Sequence, residues 1–389
     1  MPLFARAPAA HLPGLDLLRA AAIVAVMLCH ADSFDLLSDG GLAGAFGWMG
    51  VDLFFALSGF LIAGHLLRPL ARGELPNYPR FFARRLLRTV PAYLVVVAIY
   101  FAFPGLQDRP QIAPLWKFLT FTQNIGLAPG TAFSHGWSLS VEEQFYLAFP
   151  AVIAVLAPRV TPRRAVAAIA GVVVFGIVLR GWLWLQYVAA TPFDISAQPH
   201  GRAYMTLIYY PTWSRLDGIL GGVCAALVSR FRPQMWSAMM ARANLCLALG
   251  LAGVAAAVLT FGGEIGGFFA ATLGFPLLAA SMALLVIAGA GRRSLIGRWP
   301  VPGAGALAAG AYSLYLSHKI LFHLVADASK SWPPAIQGLA FPVALAAALA
   351  AGAALYWLVE RPFLKLRDRF RETRPAAATA AGAAAAIGP

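Results

Sequence analysis

The sequence predicts an all-α integral membrane protein with about ten transmembrane helices and with both termini in the cytoplasm. The first observation is composition: 60% of the 389 residues are hydrophobic, only 12% are charged, and the mean hydropathy is +0.72. Soluble domains carry about 25% charged residues. The second observation is that apolar stretches of about 20 residues, the length that crosses a bilayer, recur along the whole chain.

The net charge of +14 is concentrated in arginine clusters that lie between the apolar stretches. Such clusters mark cytoplasmic loops and set the orientation of transmembrane helices. A nucleic-acid-binding protein would need these charges on one contiguous face, so we expect no nucleic acid partner. The clusters occupy residues 68–88, 159–164, 230–242, 292–298 and 361–374.

Ten spans fit between these clusters and leave every cluster on the cytoplasmic side, whereas one missed helix would place a cluster outside. The segment 115–123 is too short to cross the bilayer, so we expect it to be re-entrant or interfacial. The first apolar stretch is expected to be a retained helix and not a cleaved signal peptide. The predicted spans are 15–33, 48–67, 88–104, 139–158, 165–188, 206–229, 244–261, 267–290, 304–325 and 336–359.

The domain organisation follows from the same pattern. We expect one transmembrane domain over residues 1–370, followed by a disordered, alanine-rich cytoplasmic tail over residues 371–389. The three cysteines, Cys29, Cys224 and Cys246, lie in or beside apolar stretches without metal-like or paired spacing. The sequence therefore predicts no metal site and no disulfide chemistry.

Polar residues inside an apolar span are costly, so they are candidates for function. In the first span, Arg19 and His30 are 11 residues apart, which places them within roughly 20° of one helix face and about 16 Å apart along the axis. Asp16 lies one turn before Arg19 and can pair with it. These residues either anchor and cap the helix ends or form a polar track that reaches into the bilayer.

Two further positions allow a structural and a functional interpretation. Asp52, near the start of the second span, can serve as a helix cap. Arg84, Arg85 and Arg88 precede the third span and can anchor its cytoplasmic end. Guanidinium groups beside aromatic residues are also suited to bind a polyanion such as a phosphorylated cofactor.

The stretch WSLSVEEQFY places two adjacent carboxylates at the start of a span. Ser140 and Glu143 fit a capping box, in which Ser140 caps the helix and Glu143 reaches back to the cap. Adjacent helical residues point about 100° apart, so Glu142 needs a different explanation. With Tyr146 one turn later, Glu142 can face the bundle interior on the same side as His30.

Later spans contribute further polar candidates. Arg215 and Asp217 are expected to offset each other's charge within an apolar stretch. Tyr312, Tyr315 and His318 follow at three-residue intervals and form one polar stripe, which is either part of the core or part of a site. The remaining polar candidate is Ser138.

Taken in order, seven motifs resemble the acyltransferase 3 family of membrane-bound acyltransferases. The resemblance covers about residues 13–365 and rests on the order and spacing of the motifs. It implies a ten-helix enzyme that transfers an acyl group, usually acetyl from cytoplasmic acetyl-CoA, to a hydroxyl of a glycan, glycolipid or small molecule. The motifs are LDLLRAAAIVAVMLCH, GVDLFFALSGFLI, RFFARRLLRTVPAY, WSLSVEEQFYLAFP, SRLDGILGG, YSLYLSHKIL and VERPF.

The resemblance also implies roles for particular residues. The family's first-helix arginine and histidine match Arg19 and His30, and its basic motif matches Arg84, Arg85 and Arg88. We expect His30 to act as a general base or as an acyl-carrying nucleophile, with Arg19 orienting or stabilising the reactants. The basic motif would hold the CoA phosphates. The family's Glu-Glu-Gln-Phe-Tyr motif matches Glu142 to Tyr146. Glu142 would orient or polarise His30 or the acceptor, and Glu143 is a further catalytic candidate.

The resemblance implies a location in the bacterial inner membrane. Some members of the family carry a fused hydrolase-like domain, and because this sequence ends soon after its last predicted helix we expect a stand-alone form. Acyl-CoA is then a substrate, and no tightly bound cofactor is expected. A transporter or flippase for a lipid-linked or anionic substrate is the alternative, because it also needs intramembrane charges. A glycan polymerase or ligase would need a large basic outer loop, which the sequence does not contain.

Overall fold

A computed structural model describes residues 12–156, 161–189, 200–263 and 266–369. Every regular element in these ranges is helical and none of them contains a strand. The predicted all-α fold is therefore confirmed. The tail predicted for residues 371–389 lies outside the described residues.

Seventeen α-helices follow one another in the described part of the chain. Three π-helical segments (Met205–Tyr209, Ala270–Gly274, Tyr356–Glu360) join or extend the longer ones. The helices are α1 Pro13–Asp32, α2 Gly41–Phe46, α3 Met49–Leu70, α4 Tyr78–Ala102, α5 Leu115–Leu119, α6 Trp137–Leu156, α7 Pro162–Tyr187, α8 His200–Tyr204, α9 Leu216–Phe231, α10 Pro233–Ala241, α11 Ala243–Gly263, α12 Phe275–Ala290, α13 Leu295–Arg298, α14 Ala304–Ser329, α15 Pro334–Gln337, α16 Ala340–Leu355 and α17 Arg361–Asp368.

Seven helices in the described residues are long and apolar enough to cross a membrane. Helices also occupy the other three predicted spans, but α9 is only 16 residues long, and α6 and α14 carry buried polar side chains. The count of ten spans and the cytoplasmic position of both termini stay predictions. The seven helices are Pro13–Asp32, Met49–Leu70, Tyr78–Ala102, Arg163–Tyr187, Ala243–Gly262, Ala270–Ala290 and Ala340–Asp368.

Helices α3 and α9 pack with their backbones in contact at the centre of the bundle. Gly59 of α3 lies against the carbonyl oxygen of Ile219, and Gly222 of α9 lies against that of Ala56. A Cβ atom at either glycine would overlap these carbonyl groups. Small residues at such crossings let membrane helices approach closely, which brings the polar residues of α3 and α9 together.

Two buried ion pairs join α9 to its neighbours. Arg215 donates to both carboxylate oxygens of Asp52, at 2.7 and 2.9 Å. Arg180, on α7, donates to Asp217 at 2.7 Å and to the carbonyl oxygen of Ser214 at 2.7 Å. All four charged side chains are buried, so each charge is compensated across a helix boundary.

These pairs correct two predictions. Arg215 and Asp217 do not offset each other, because each has its partner on another helix. Asp52 does not cap a helix, because α3 begins three residues earlier, at Met49, and has no side-chain cap. A buried carboxylate in the first turn is stabilised more by charge-assisted hydrogen bonds, here both from Nη2 of Arg215, than by neutral amide groups.

We predict that Arg180→Leu lowers the free energy of unfolding by about 3–5 kcal/mol, because it leaves the Asp217 carboxylate buried without a counter-charge. Thermal unfolding of the detergent-purified protein measures the effect. Lys330→Ala is the control, since Lys330 and Asp327 form an exposed pair and exposed pairs contribute little. Equal melting temperatures for the two variants would contradict the prediction.

Candidate active site

A cavity of about 210 Å³ lies between α1, α3, α4, α6 and α14. Arg19 and Arg88, which line it, belong to the first halves of α1 and α4, the ends predicted to be cytoplasmic. The cavity is therefore lined from the predicted cytoplasmic ends of α1 and α4, and also by Val51 and Ser138, at the starts of α3 and α6. Its charged and titratable lining residues are Arg19, His65, Arg85, Arg88, Glu142 and Glu143.

Arg85 lies between the two adjacent glutamates. Its Nη2 atom is 3.6 Å from Glu142 and its Nε atom is 3.6 Å from Glu143. The guanidinium also stacks on the ring of Tyr146, at 3.7 Å from the centroid. Glu142 further accepts hydrogen bonds from the hydroxyls of Tyr146 and Ser58. The cluster fixes the Glu142 carboxylate from three helices.

The predicted capping box is wrong. A short 3₁₀ turn over Ser134–Gly136 leads directly into α6, which begins at Trp137. Ser140 therefore lies within the helix, and its buried hydroxyl has no hydrogen-bond partner. Glu143 contacts Arg85 instead of a helix start. A capping side chain bonds the free backbone amides at the start of a helix. Ser140 is too far into α6 to do so, because the preceding turn moves the helix start to Trp137.

The proposed partnership between Glu142 and His30 is also not observed. Glu142 lies in the cavity with Arg85, whereas the His30 ring contacts other histidines. Arg19 lines the same cavity and pairs loosely with Asp16, at 3.8 Å. Arg19 and His30 thus mark two different regions, as their spacing along α1 predicts.

Only two of the three arginines of the basic motif line the cavity. Arg85 and Arg88 line it, whereas Arg84 is not among its lining residues. No described carboxylate lies within ion-pair distance of Arg88. Arg88 is therefore a cation in the cavity wall that a bound anion can neutralise.

Three histidines cluster beyond the end of the cavity. The Nδ1 atom of His30 lies 2.7 Å from the Nε2 atom of His318. The Nδ1 atom of His318 lies 2.8 Å from the carbonyl oxygen of Leu314. The ring of His135 completes the cluster, with its centroid 5.8 Å from that of His30 and 5.5 Å from that of His318.

These contacts determine the protonation of the neutral histidine pair. A carbonyl oxygen only accepts, so His318 carries its proton on Nδ1 and its lone pair on Nε2. His30 must then donate its own Nδ1 proton to His318. The lone pair of His30 therefore lies on Nε2, which is the arrangement a general base needs.

Tyr315 and Ser138 connect the cavity with the histidines. Both line the cavity, and their hydroxyl oxygens lie 2.7 Å apart. The Tyr315 hydroxyl donates to the backbone oxygen of His135 at 2.7 Å. The hydrogen-bonded pair thus forms a layer, one side chain thick, between the cavity and the histidine cluster.

Sequence reasoning missed His135, Asp108 and Lys319. Asp108 and Lys319 form a buried ion pair of 2.7 Å beside the cluster. His135 and Asp108 precede helices in a segment that the hydropathy pattern assigns to an outer loop. The signal that was available is the position of His135 immediately before the WSLS motif. In the described residues, no group of three or more potential metal ligands is arranged to hold a metal ion.

The comparisons with known proteins agree with the sequence motifs. The family model described as an acyltransferase domain (acyltransferase 3) matches residues 12–359. The O-acetyltransferase OatA of Staphylococcus aureus strain NCTC 8325 is 36% identical over 172 residues, which is 40% of this chain and 27% of the relative. No solved structure matches the chain.

A second relative is matched over a longer region. The peptidoglycan O-acetyltransferase OatA of Listeria monocytogenes is 31% identical over 238 residues, 57% of this chain and 34% of the relative. A putative O-acetyltransferase of Staphylococcus aureus strain COL is 27% identical over 235 residues, 56% of this chain and 35% of the relative. The matches thus span about a third or less of the length of these curated relatives.

We predict that Asp108→Asn destabilises the protein by about 3–5 kcal/mol at neutral pH, because it leaves Lys319 buried and unpaired. Burial alone would raise the pKa of Asp108, but Lys319 and the hydrogen bonds from Phe133 and Tyr100 hold it below its ordinary value. A lowered folded-state pKa stabilises the protein fully above the unfolded value, about pH 4. The advantage of wild type is therefore lost as the pH falls below that value.

Thermal unfolding of the two proteins across a pH series measures this difference. Asp39→Asn is the control, because Asp39 is exposed and should cost little at any pH. A wild-type advantage that persists unchanged well below pH 4 would contradict an ionised role for Asp108.

Proposed function

Because the chain belongs to the acyltransferase 3 family of membrane acyltransferases, we propose that it transfers an acetyl group from acetyl-CoA to a hydroxyl of an envelope glycan. The matched relatives carry the name O-acetyltransferase, and one is named for peptidoglycan. They are bacterial, so we assign the chain to the bacterial inner membrane. The donor would enter from the cytoplasm, and the acceptor would approach the histidine cluster from the opposite face.

One observation carries this proposal: the hydrogen-bonded chain from His30 through His318 to the Leu314 carbonyl oxygen. It leaves a lone pair on Nε2 of a partly exposed His30. Acyl transfer to an alcohol needs a base for the hydroxyl proton, and a neutral imidazole is suited to this role near pH 7. His318 accepts a hydrogen bond from Nδ1 of His30 and so stabilises the positive charge that His30 acquires.

The reaction then proceeds with His30 as base. Nε2 takes the proton of the acceptor hydroxyl as its oxygen forms a bond to the thioester carbon. The carbonyl electron pair moves to oxygen and gives a tetrahedral oxyanion. The oxyanion collapses, the carbon–sulfur bond breaks, and the CoA thiolate takes the proton from His30. The products are the acetyl ester and CoA with a free thiol.

The cavity is suited to the CoA end of the donor. Arg88 has no carboxylate partner among the described residues. Arg19 forms only a long ion pair with Asp16, with 3.8 Å between the nitrogen and the oxygen. Both can pair with the phosphates of CoA. Arg85 instead holds Glu142 and Tyr146 in place. The thioester would reach the histidines past Tyr315.

We predict that His30→Gln lowers kcat by at least 10²-fold, because a general base contributes about 10²–10⁴-fold. The affinity for acetyl-CoA should stay unchanged, since the cavity residues are intact. The assay measures thiol release and acetyl transfer by the purified protein in liposomes, with radiolabelled acetyl-CoA and soluble peptidoglycan fragments or envelope polysaccharide as acceptor.

Two outcomes would contradict this mechanism. A wild-type protein that neither binds acetyl-CoA nor releases thiol would exclude the enzyme, and movement of substrate without thiol release would favour the transporter. Stoichiometric acetyl-histidine trapped at His30 without acceptor would make His30 the nucleophile instead of the base.

We predict that Arg88→Ala raises KM for acetyl-CoA about 10-fold, because one charge-assisted hydrogen bond to phosphate contributes about 1.5–3 kcal/mol. Its kcat should change little. Arg84→Ala is the matched control, since Arg84 belongs to the same motif but does not line the cavity. Equal KM values for the two variants would limit the motif to membrane orientation.

A further inference from the structure

The ring of His135 is buried without a well-formed hydrogen bond. His135 is only 3% exposed, and neither Nδ1 nor Nε2 has a partner at normal hydrogen-bond distance and angle. The backbone oxygens of Leu316 and Tyr315 approach the ring closely enough to favour its protonated form and raise its pKa, but they do not complete such a bond. An unsatisfied buried polar group costs about 1–3 kcal/mol. Such a group in a folded protein calls for an explanation, and a catalytic role is one of the few explanations known.

The backbone around His135 is held from three directions. Tyr315 donates to the backbone oxygen of His135 at 2.7 Å, and Gln123 donates to that of Gly136 at 3.0 Å. The amide of Phe133 donates to Asp108 at 3.1 Å. Phe133 itself has a φ of +55°, a left-handed conformation that a bulky residue adopts only when its surroundings impose it. The fold fixes this turn firmly and leaves the ring without a well-formed hydrogen bond.

The ring lies where the reaction would occur. Its centroid is 5.8 Å from that of His30 and 5.5 Å from that of Tyr315. His30 supplies the base, and Tyr315 ends the cavity from which the thioester arrives. A carbonyl carbon under attack between these two groups lies beside His135.

The reaction still needs a hydrogen-bond donor for the oxyanion. Two cations of this region are already engaged, because Lys319 pairs with Asp108 at 2.7 Å and Arg85 contacts Glu142 and Glu143. Burial, followed by the charge of Lys319, holds the pKa of His135 well below its ordinary value. His135 is therefore a neutral imidazole at pH 7, with one N–H donor available.

We propose that His135 donates its ring N–H to the oxyanion that forms on the acyl carbonyl of the donor in the tetrahedral intermediate. This inference rests on the proposed acyl transfer. As the acceptor oxygen bonds to carbon and its proton passes to His30, the carbonyl electron pair moves to the oxygen, which His135 then holds. The same pair returns to carbon when the bond to sulfur breaks, and His135 keeps its own proton throughout.

Three variants test this role in the liposome assay with radiolabelled acetyl-CoA. His135→Phe and His135→Met fill the space without an N–H donor, whereas His135→Gln keeps one. Removal of one oxyanion donor costs about 10²–10³-fold in kcat. We expect that loss for Phe and Met, at most a 10-fold loss for Gln, and an unchanged KM for acetyl-CoA in all three.

His323→Phe is the matched control, because His323 belongs to the same helix as His318 and contacts Phe34 instead of the cluster. It should keep wild-type kcat. Thermal unfolding of each variant shows which proteins are folded. Should His135→Phe not fold, the comparison of Met with Gln decides.

The proposal is wrong if folded donor-free variants turn over as fast as His135→Gln, or if none of the three variants folds, which would make the ring structural. These outcomes differ from failure of the proposed function. In that case wild type itself transfers no acetyl group and releases no thiol.

Discussion

The hydrogen bond from His318 to the carbonyl oxygen of Leu314 is the interaction on which the chemistry of the site depends. It is an ordinary contact across one helical turn, yet it decides which nitrogen of His318 accepts. That choice passes to His30, 288 residues away in sequence. A backbone carbonyl here does what a carboxylate does beside many catalytic histidines, but without bringing a charge into the bilayer.

The rest of the bundle obeys the same constraint, because the apolar core offers no water to buried polar groups. Charges are therefore matched across the bundle, as in Asp52–Arg215, Arg180–Asp217 and Asp108–Lys319. Arg180–Asp217 joins α7 to α9, Asp52–Arg215 joins α3 to the residue before α9, and Asp108–Lys319 joins a loop to α14. The two pairs near α9 hold α3, α7 and α9 together. The pair beside the histidines fixes the turn that carries His135.

The sequence predicted the helical fold, the Asp16–Arg19 contact and the inventory of polar residues, because hydropathy and helical spacing are local properties. It did not predict which charged side chains pair with one another. Nothing in the sequence around Arg215, the residue before α9, indicates that it pairs with Asp52, since that choice depends on how α3 and α9 cross. Ser140 and Glu143 fitted a capping box locally, but the turn before Trp137 extends the helix past them. His135 lacked a helical pattern altogether.

The contact between Tyr315 and Ser138 has a consequence for the proposed reaction. A protein that joins reactants from opposite faces of a membrane risks becoming a pore. Here the cavity on one side and the histidines on the other are divided by a hydrogen-bonded tyrosine. In the proposed reaction only an acyl group would pass this ring, so protons and ions would have no continuous aqueous path from the cavity to the histidines. Such a barrier would let the membrane keep its electrochemical gradient during turnover.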